Sequence, residues 1–225
     1  MIKIKDLTVK NFMSVGNQTQ AVDFDQAQLT LVLGENLDQG GDDSGSRNGT
    51  GKTTIINALS YALYGMALTN IKRNNLINKT NGKGMVVTLQ FEKDATAYRV
   101  ERGRGPNFLK FYINDREQEL IDESQGDSRK TQETINELLG MSHDMFKHIV
   151  ALNTYTEPFL SMRSNDQRAI IEQLLGITIL TEKSNSLKDR IKETKDAVVQ
   201  ETLKIEAIET SNDKIKASIE QLAQR

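Results

Sequence analysis

At the start of the chain apolar and polar residues alternate imperfectly. Ile2, Ile4, Leu7 and Val9 are set against Lys3, Lys5 and Lys10, the pattern of a half-buried strand. Residues 21–24 form a second short candidate. Residues 29–33, Leu-Thr-Leu-Val-Leu, run into Gly34, which predicts a buried strand ending in a loop. Residues 34–51 are crowded with Gly and Asp, so no regular element is expected there. From Lys52 the period changes. Ile55, Ile56, Leu59, Ala62 and Leu63 recur at helical spacing up to Gly65, a natural stop. Residues 85–91, 97–100 and 108–113 are strand-like and separated by Glu-Lys-Asp and Gly-Arg-Gly-Pro, which predicts a β meander over 85–113. Helices are predicted over 131–152 and 164–175, with Gly140 punctuating the first and Ser164 capping the second.

The last section differs in kind. Residues 177–225 contain no Gly and no Pro. Leu187, Ile191, Thr194, Val198, Glu201, Ile205, Ile208, Asn212, Ile215, Ile219 and Leu222 fall on alternating steps of three and four, and eight of these eleven are aliphatic. That is a heptad seam. Nine acidic and nine basic side chains occupy residues 181–225. A continuous helix of this length extends ~70 Å. Its one narrow apolar stripe cannot be buried by the helix itself, so it needs a partner helix. The organisation expected is a globular lobe over residues 1–178 and the start of an ascending coiled-coil arm over 179–225.

Composition removes several chemistries. There is no Cys among the 225 residues and only two His, His143 and His148. Disulfides and Cys-ligated metals are excluded, and a His-rich metal site is not expected. The net charge of −2 means that nucleic-acid contacts need local basic patches. The N-terminus lacks a signal-peptide core, and no apolar run approaches the ~20 residues of a membrane span. A cytoplasmic protein with no membrane partner is expected.

The sharpest chemistry lies at residues 49–54, Gly-Thr-Gly-Lys-Thr-Thr. A phosphate-binding loop needs this position, between a strand and a helix. Consecutive N–H groups wrap the phosphates, Lys52 reaches the β/γ-phosphates, and the Thr53 hydroxyl ligates Mg²⁺. The strict motif asks for Gly at position 46, where Ser46 stands. Removing residues 36–47 joins Gly34-Glu35 to Asn48 and restores the full spacing. We therefore read 36–47 as an insertion within the loop. Gly34, Asn48, Gly49, Thr50, Gly51, Lys52, Thr53 and Thr54 are the candidate nucleotide-binding set, with ATP and Mg²⁺ as cofactors. No apolar strand ending in Asp-Glu follows, and no Leu-Ser-Gly-Gly-like segment occurs. The chain thus supplies one half of a nucleotide site, and the remainder of the ATPase is expected beyond residue 225 or on another chain.

These residues carry a family resemblance over essentially the whole chain. Residues 9–14 (Val-Lys-Asn-Phe-Met-Ser), the loop with the helix after it, and 146–175 resemble the N-terminal half of SbcC-type, SMC-like ABC ATPases of DNA double-strand-break repair. The likeness is strongest to the T-even bacteriophage branch, large subunits of recombination exonucleases. The resemblance implies an α/β P-loop NTPase head, its N-terminal lobe carrying the β meander, followed by a coiled-coil helix. It implies a C-terminal lobe with the acidic and signature motifs, and a head-to-head homodimer sandwiching two ATP molecules. It implies a metallophosphoesterase nuclease partner of the SbcD type and, for a phage-encoded chain, the host cytoplasm. By the same resemblance Ser14 belongs to the nucleotide site. Asn153 stands where the family carries a Gln that ligates Mg²⁺ and positions water, which makes Lys52 and Asn153 the candidate catalytic pair. Met13 replaces an Arg common in the family. The activity implied is an ATP-binding half that controls a nuclease at double-strand breaks; this piece alone binds ATP without turnover. The alternative class is an SMC-type chromosome-organising ATPase without a nuclease. A stand-alone P-loop enzyme such as a kinase leaves the coiled coil unexplained.

Residues 72–110 carry nine basic side chains against three acidic ones. Lys72, Arg73, Arg99, Arg102, Arg104 and Lys110 are candidate contacts to double-stranded DNA, with Arg102 and Arg104 placed at a hairpin tip. No base-reading motif accompanies them, so phosphate contacts without sequence preference are expected.

Overall fold

The computed structural model describes the chain except residues 27, 37–48, 119–127, 153–155 and 224–225. It divides into two compact units, Met1–Gln167 and Arg168–Arg225.

The first unit is built on one antiparallel sheet. Its strands are β1 (Ile2–Lys10), β2 (Gln20–Asp23), β3 (Met85–Lys93), β4 (Thr96–Arg104), β5 (Phe108–Ile113) and β6 (Arg116–Glu117), in spatial order β2-β1-β3-β4-β5-β6. The imperfect alternation of β1 has a structural cause. A register shift between Ile4 and Asp6 puts Ile4 opposite Phe91 and Leu7 opposite Leu89. One extra residue flips every later side chain to the other face. Ile2, Ile4, Leu7 and Val9 therefore share a face with Val87, Leu89 and Phe91.

That face is covered by α1 (Lys52–Tyr64), which packs on β3 and β4. Ala58, Leu59, Tyr61, Ala62 and Leu63 of α1 are buried, as are Val100 and Phe111 of the sheet. The helix ends at Gly65, whose N–H donates to Tyr61 O at 2.8 Å. α2 (Arg129–Leu139) closes against α1 and β5 and buries Ile135 completely. A short α3 (His143–Met145) runs into one π turn over Phe146–Val150, and the Ala151 N–H closes it by donating to Phe146 O at 2.9 Å. Phe146 is buried, with its ring 5.3 Å from that of Tyr64. α4 (Ser164–Leu174) includes Ser164 as its first residue.

The strand expected at 29–33 is absent. These residues pair with no strand among those described, and Leu29, Leu31 and Leu33 are largely exposed. An apolar run becomes a buried strand only with a neighbour to bond and layers to cover it. None of the six described strands lies beside it.

The second unit contains α5 (Thr178–Ala223), a helix of 46 residues. Leu187, Ile191, Val198, Ile205, Ile208, Ile215, Ile219 and Leu222 are all exposed on it. The heptad seam is formed and uncovered. No described helix is long and apolar enough to cross a membrane.

Candidate functional site

The N-terminus of α1 is where the loop chemistry converges. Gly51 immediately precedes Lys52 at φ +88°, in the left-handed region that glycine enters at little cost. No side chain caps this helix end, and its first turn holds no Asp or Glu. Its leading N–H groups and the positive end of its dipole are therefore offered outward, the arrangement that binds phosphate.

Side chains complete the cradle. Lys52 Nζ donates to Thr50 Oγ1 at 3.3 Å. Thr53 is exposed at the same end, whereas Thr54 is buried and its hydroxyl is 2.9 Å from Ser14 Oγ. Gly34 comes in from the other side. A Cβ there would lie 1.8 Å from Thr50 Oγ1 and 3.1 Å from Lys52 Nζ. An ammonium, a free-facing hydroxyl, an uncapped helix end and a backbone approach closed to any side chain fit a nucleotide phosphate with its Mg²⁺. Asn48 and Asn153 lie outside the described residues, as does the 36–47 segment apart from Asn36.

Ser14 reaches the loop because the turn that carries it is tied down. The Met13 N–H donates to Leu76 O at 2.7 Å, and Asn78 Nδ2 donates to Met13 O at 3.0 Å. Phe12 is fully buried beside Tyr61, their centroids 5.6 Å apart.

Three polar anchors hold α1, and the sequence singled out none of them for this. Asn57 is fully buried. Its amide donates to Thr53 O at 3.0 Å, and its carbonyl accepts from the Leu68 N–H at 2.9 Å and the Thr69 N–H at 3.3 Å. Ser60 donates its single hydrogen to Met66 O at 2.8 Å and contacts His143 Nε2 at 3.0 Å. The nitrogen is therefore the donor in that second contact. Burial, then the Lys147 charge, holds His143 below the ordinary imidazole range. Arg102 is the third. Its Nε and Nη2 donate to Ala62 O, both at 3.3 Å, and Nη2 also donates to Gln132 Oε1 at 2.5 Å. Burial depresses its pKa to about 10. A buried Asn or Ser bonded across the fold is signalled only by a polar residue on an apolar helix face.

The basic residues of the meander do not form one patch. Alternation places Arg102 and Arg104 on the face that carries Val100, with Arg99 and Lys110 on the opposite face. Arg102 and Arg104 lie within β4, and the hairpin tip is residues 105–107. Arg102 is spent on the carbonyl end of α1, which corrects its reading as an accessible DNA contact. On the outer face Arg99 stacks 4.0 Å from the centre of the Tyr112 ring and is 3.5 Å from Glu101, while Lys110 pairs with Glu117 at 3.1 Å. Lys72 and Arg73 are exposed, and Arg104 bonds Asn74 through Nε at 2.8 Å.

Residues 6–225 match the family model described as AAA domain. The chain is similar to exonuclease subunit 2 of Enterobacteria phage T4, 34% identical over 80% of this chain and 30% of that one. It is also similar to the DNA double-strand break repair Rad50 ATPase of Methanococcus maripaludis, 25% identical over 97% of this chain and 20% of that one. The chain spans less than a third of the length of these relatives. Among solved structures it resembles a Pyrococcus furiosus Smc head domain with an extended coiled coil bound to the C-terminal domain of ScpA. The TM-score is 0.56 at 18% identity, over 89% of this chain and 48% of that one. The fold is thus that of an SMC head domain.

Proposed function

The chain belongs to the AAA domain family, and from that premise we propose that it is the N-terminal, ATP-binding half of a DNA-repair ATPase of the SbcC type. The observation that carries the reading is the uncapped, acid-free N-terminus of α1 behind Gly51, with Lys52, Thr53 and Gly34 around it. The loop N–H groups and Lys52 would hold the β- and γ-phosphates, and Thr53, with Asn153, would hold Mg²⁺, which would supply charge neutralisation at the phosphate oxygens. Ser14 fixes the loop through Thr54.

Turnover requires what this chain lacks. The exposed strand-like run at 29–33 and the uncovered seam of α5 are two apolar surfaces awaiting partners. A C-terminal lobe of the same ATPase supplies a strand to the first and a returning helix to the second. Two such heads close on two ATP molecules, and a metallophosphoesterase subunit of the SbcD type makes the cuts. The substrate is double-stranded DNA, held without sequence preference. The domain border at 178/179 is part of this proposal.

The test is nucleotide binding and turnover by this chain with Mg²⁺, beside Lys52→Ala. Binding that depends on Lys52 without turnover is expected. Robust turnover would place the hydrolytic carboxylate inside these residues and overturn the half-site reading.

A further inference from the structure

We infer that Asn78 is a positioning residue for nucleotide binding: its side-chain amide holds the turn that sets Ser14 against the loop preceding α1. The inference rests on the ATP-binding function above and adds how that loop is held from outside.

The turn at residues 11–14 is unfavourable by itself. Asn11 and Met13 sit at φ +52° and +49°, in the left-handed region. Asparagine tolerates that region, but a side chain such as methionine rarely enters it. Such a conformation persists only where its surroundings impose it, and it collects at functional sites.

Residues 76–78 impose it here. The Met13 N–H donates to Leu76 O at 2.7 Å, and the Asn78 N–H donates to Asn11 O at 2.8 Å. Between them Phe12 pairs with Ile77 in an antiparallel bridge. The Met13 carbonyl is held by a side chain, because Asn78 Nδ2 donates to it at 3.0 Å. The other end of that amide fixes its orientation. Asn78 Oδ1 accepts from the N–H groups of Thr80 and Asn81, both at 3.1 Å, and only the oxygen can accept. Phe12 and Leu76 are fully buried, so the two segments cannot shift against each other without repacking the core.

The turn delivers Ser14 to two points of the loop. Ser14 Oγ lies 2.9 Å from Thr54 Oγ1, and a Cβ on Gly51 would lie 3.2 Å from the same oxygen. Ser14 thus abuts both the left-handed residue that opens α1 and a buried hydroxyl in its first turn. These two are joined in turn, the Thr54 N–H donating to Gly51 O at 2.9 Å. A displacement of Ser14 is therefore passed to the residues on either side of Lys52.

The two ends of the Asn78 amide make its roles separable. Oδ1 shapes the loop that follows Asn78, and Nδ2 reaches the turn of Ser14. Asn78→Asp keeps the acceptor and sets a carboxylate oxygen against Met13 O. Asn78→Ser keeps a shorter oxygen of the kind that also closes such turns, and withdraws the donor without adding charge.

The experiment is titration of this chain with a fluorescent ATP analogue and Mg²⁺. Each Asn78 variant is paired with Ser14→Ala in a double-mutant cycle, and melting temperatures are measured alongside. Both Asn78 variants are expected to weaken binding by about 2- to 13-fold, the equivalent of one hydrogen bond. In the Ser14→Ala background neither should weaken it further, since the effect runs through Ser14. A purely structural role would lower the melting temperature in both backgrounds without this loss of additivity. Wild-type affinity in a folded Asn78 variant overturns the proposal. Equal losses in both backgrounds also overturn it, because Asn78 would then act by a route that bypasses Ser14. Where Asn78→Asp does not fold, Asn78→Ser carries the cycle; unfolding of both would make Asn78 a residue of the fold alone and overturn the proposal. Wild-type binding that is absent, or indifferent to Lys52→Ala, overturns the ATP-binding function itself, and the role of Asn78 with it.

Discussion

Gly34 lies so close to Thr50 that a single methyl group on it would sit 1.8 Å from the threonine hydroxyl oxygen and 2.7 Å from its Cβ. The hydroxyl can rotate away, but the Cβ moves only with the backbone of the loop. Gly34→Ala should therefore displace the loop that Lys52 and Thr53 depend on. Overpacking of this kind costs about 1–3 kcal/mol, which corresponds to roughly a 5- to 150-fold loss of nucleotide affinity. Titration with a fluorescent ATP analogue reads it directly. The same contact supports the proposal that Gly34 is the first glycine of the loop motif. A chain with residues 36–47 removed is expected to keep Lys52-dependent binding, and loss of binding in that deletion would refute the assignment.

Asn57 joins the first turn of α1 to the loop after its last turn. Asn57→Leu keeps the branched shape of the side chain and strands the N–H groups of Leu68 and Thr69, which Asn57 now bonds. Each unsatisfied buried group costs about 1–3 kcal/mol. For a chain of this size the melting temperature falls by roughly 2–4 °C per kcal/mol, so a drop of about 10 °C is expected by circular dichroism. A change within error would mean that water replaces the side chain.

His143 makes stability depend on pH in one direction. Its pKa is lowered from 6.5, first by burial and then by Lys147, so the folded chain binds this proton less readily than the unfolded one. Well above 6.5 both states hold His143 neutral and its contribution is complete. As pH falls through 6.5 the unfolded chain takes up a proton that the fold resists, and stability declines until the lowered folded pKa is passed. Melting temperatures at about pH 7.5 and pH 5.5 should therefore diverge more for wild type than for His143→Gln. An equal decline in both would assign the pH dependence to other groups.

The parts of the fold legible in the sequence are those held by local pattern. α1, its end at Gly65 and the three meander strands follow from period and turn residues, and they fall where period places them. Residues 29–33 carry an equally clear strand pattern, but a strand is a relation between two segments, and none of the described strands pairs with this one. The site divides in the same way. The loop was legible because glycine spacing is a local constraint. Ser14 entered through family likeness, and its contact with Thr54 depends on a turn fixed by distant Asn78. The cationic residues were countable, yet their placement was not. A one-residue alternation sends Arg99 and Arg102 to opposite faces of β4, and only pairing with β3 decides which face meets α1.

Arg102 provides the sharpest separation of structure from binding. Its guanidinium satisfies Ala62 O at the end of α1 and joins Gln132, whose own amide donates to Leu63 O at 2.9 Å. Two otherwise bare carbonyls of the last helical turn are thus capped, with the cation at the favourable end of the dipole. Lysine is no substitute, because a point charge cannot reach Ala62 O and Gln132 Oε1 in one plane. Hydrogen bonds to charged groups contribute about 1.5–3 kcal/mol, so Arg102→Gln should lower the melting temperature by roughly 3–12 °C. Arg102→Lys should recover only part of this. Neither variant should change the salt slope for duplex binding under conditions where both stay folded. A slope reduced by about one unit at unchanged stability would instead make Arg102 a phosphate contact, and its place beneath α1 would then have to open on binding.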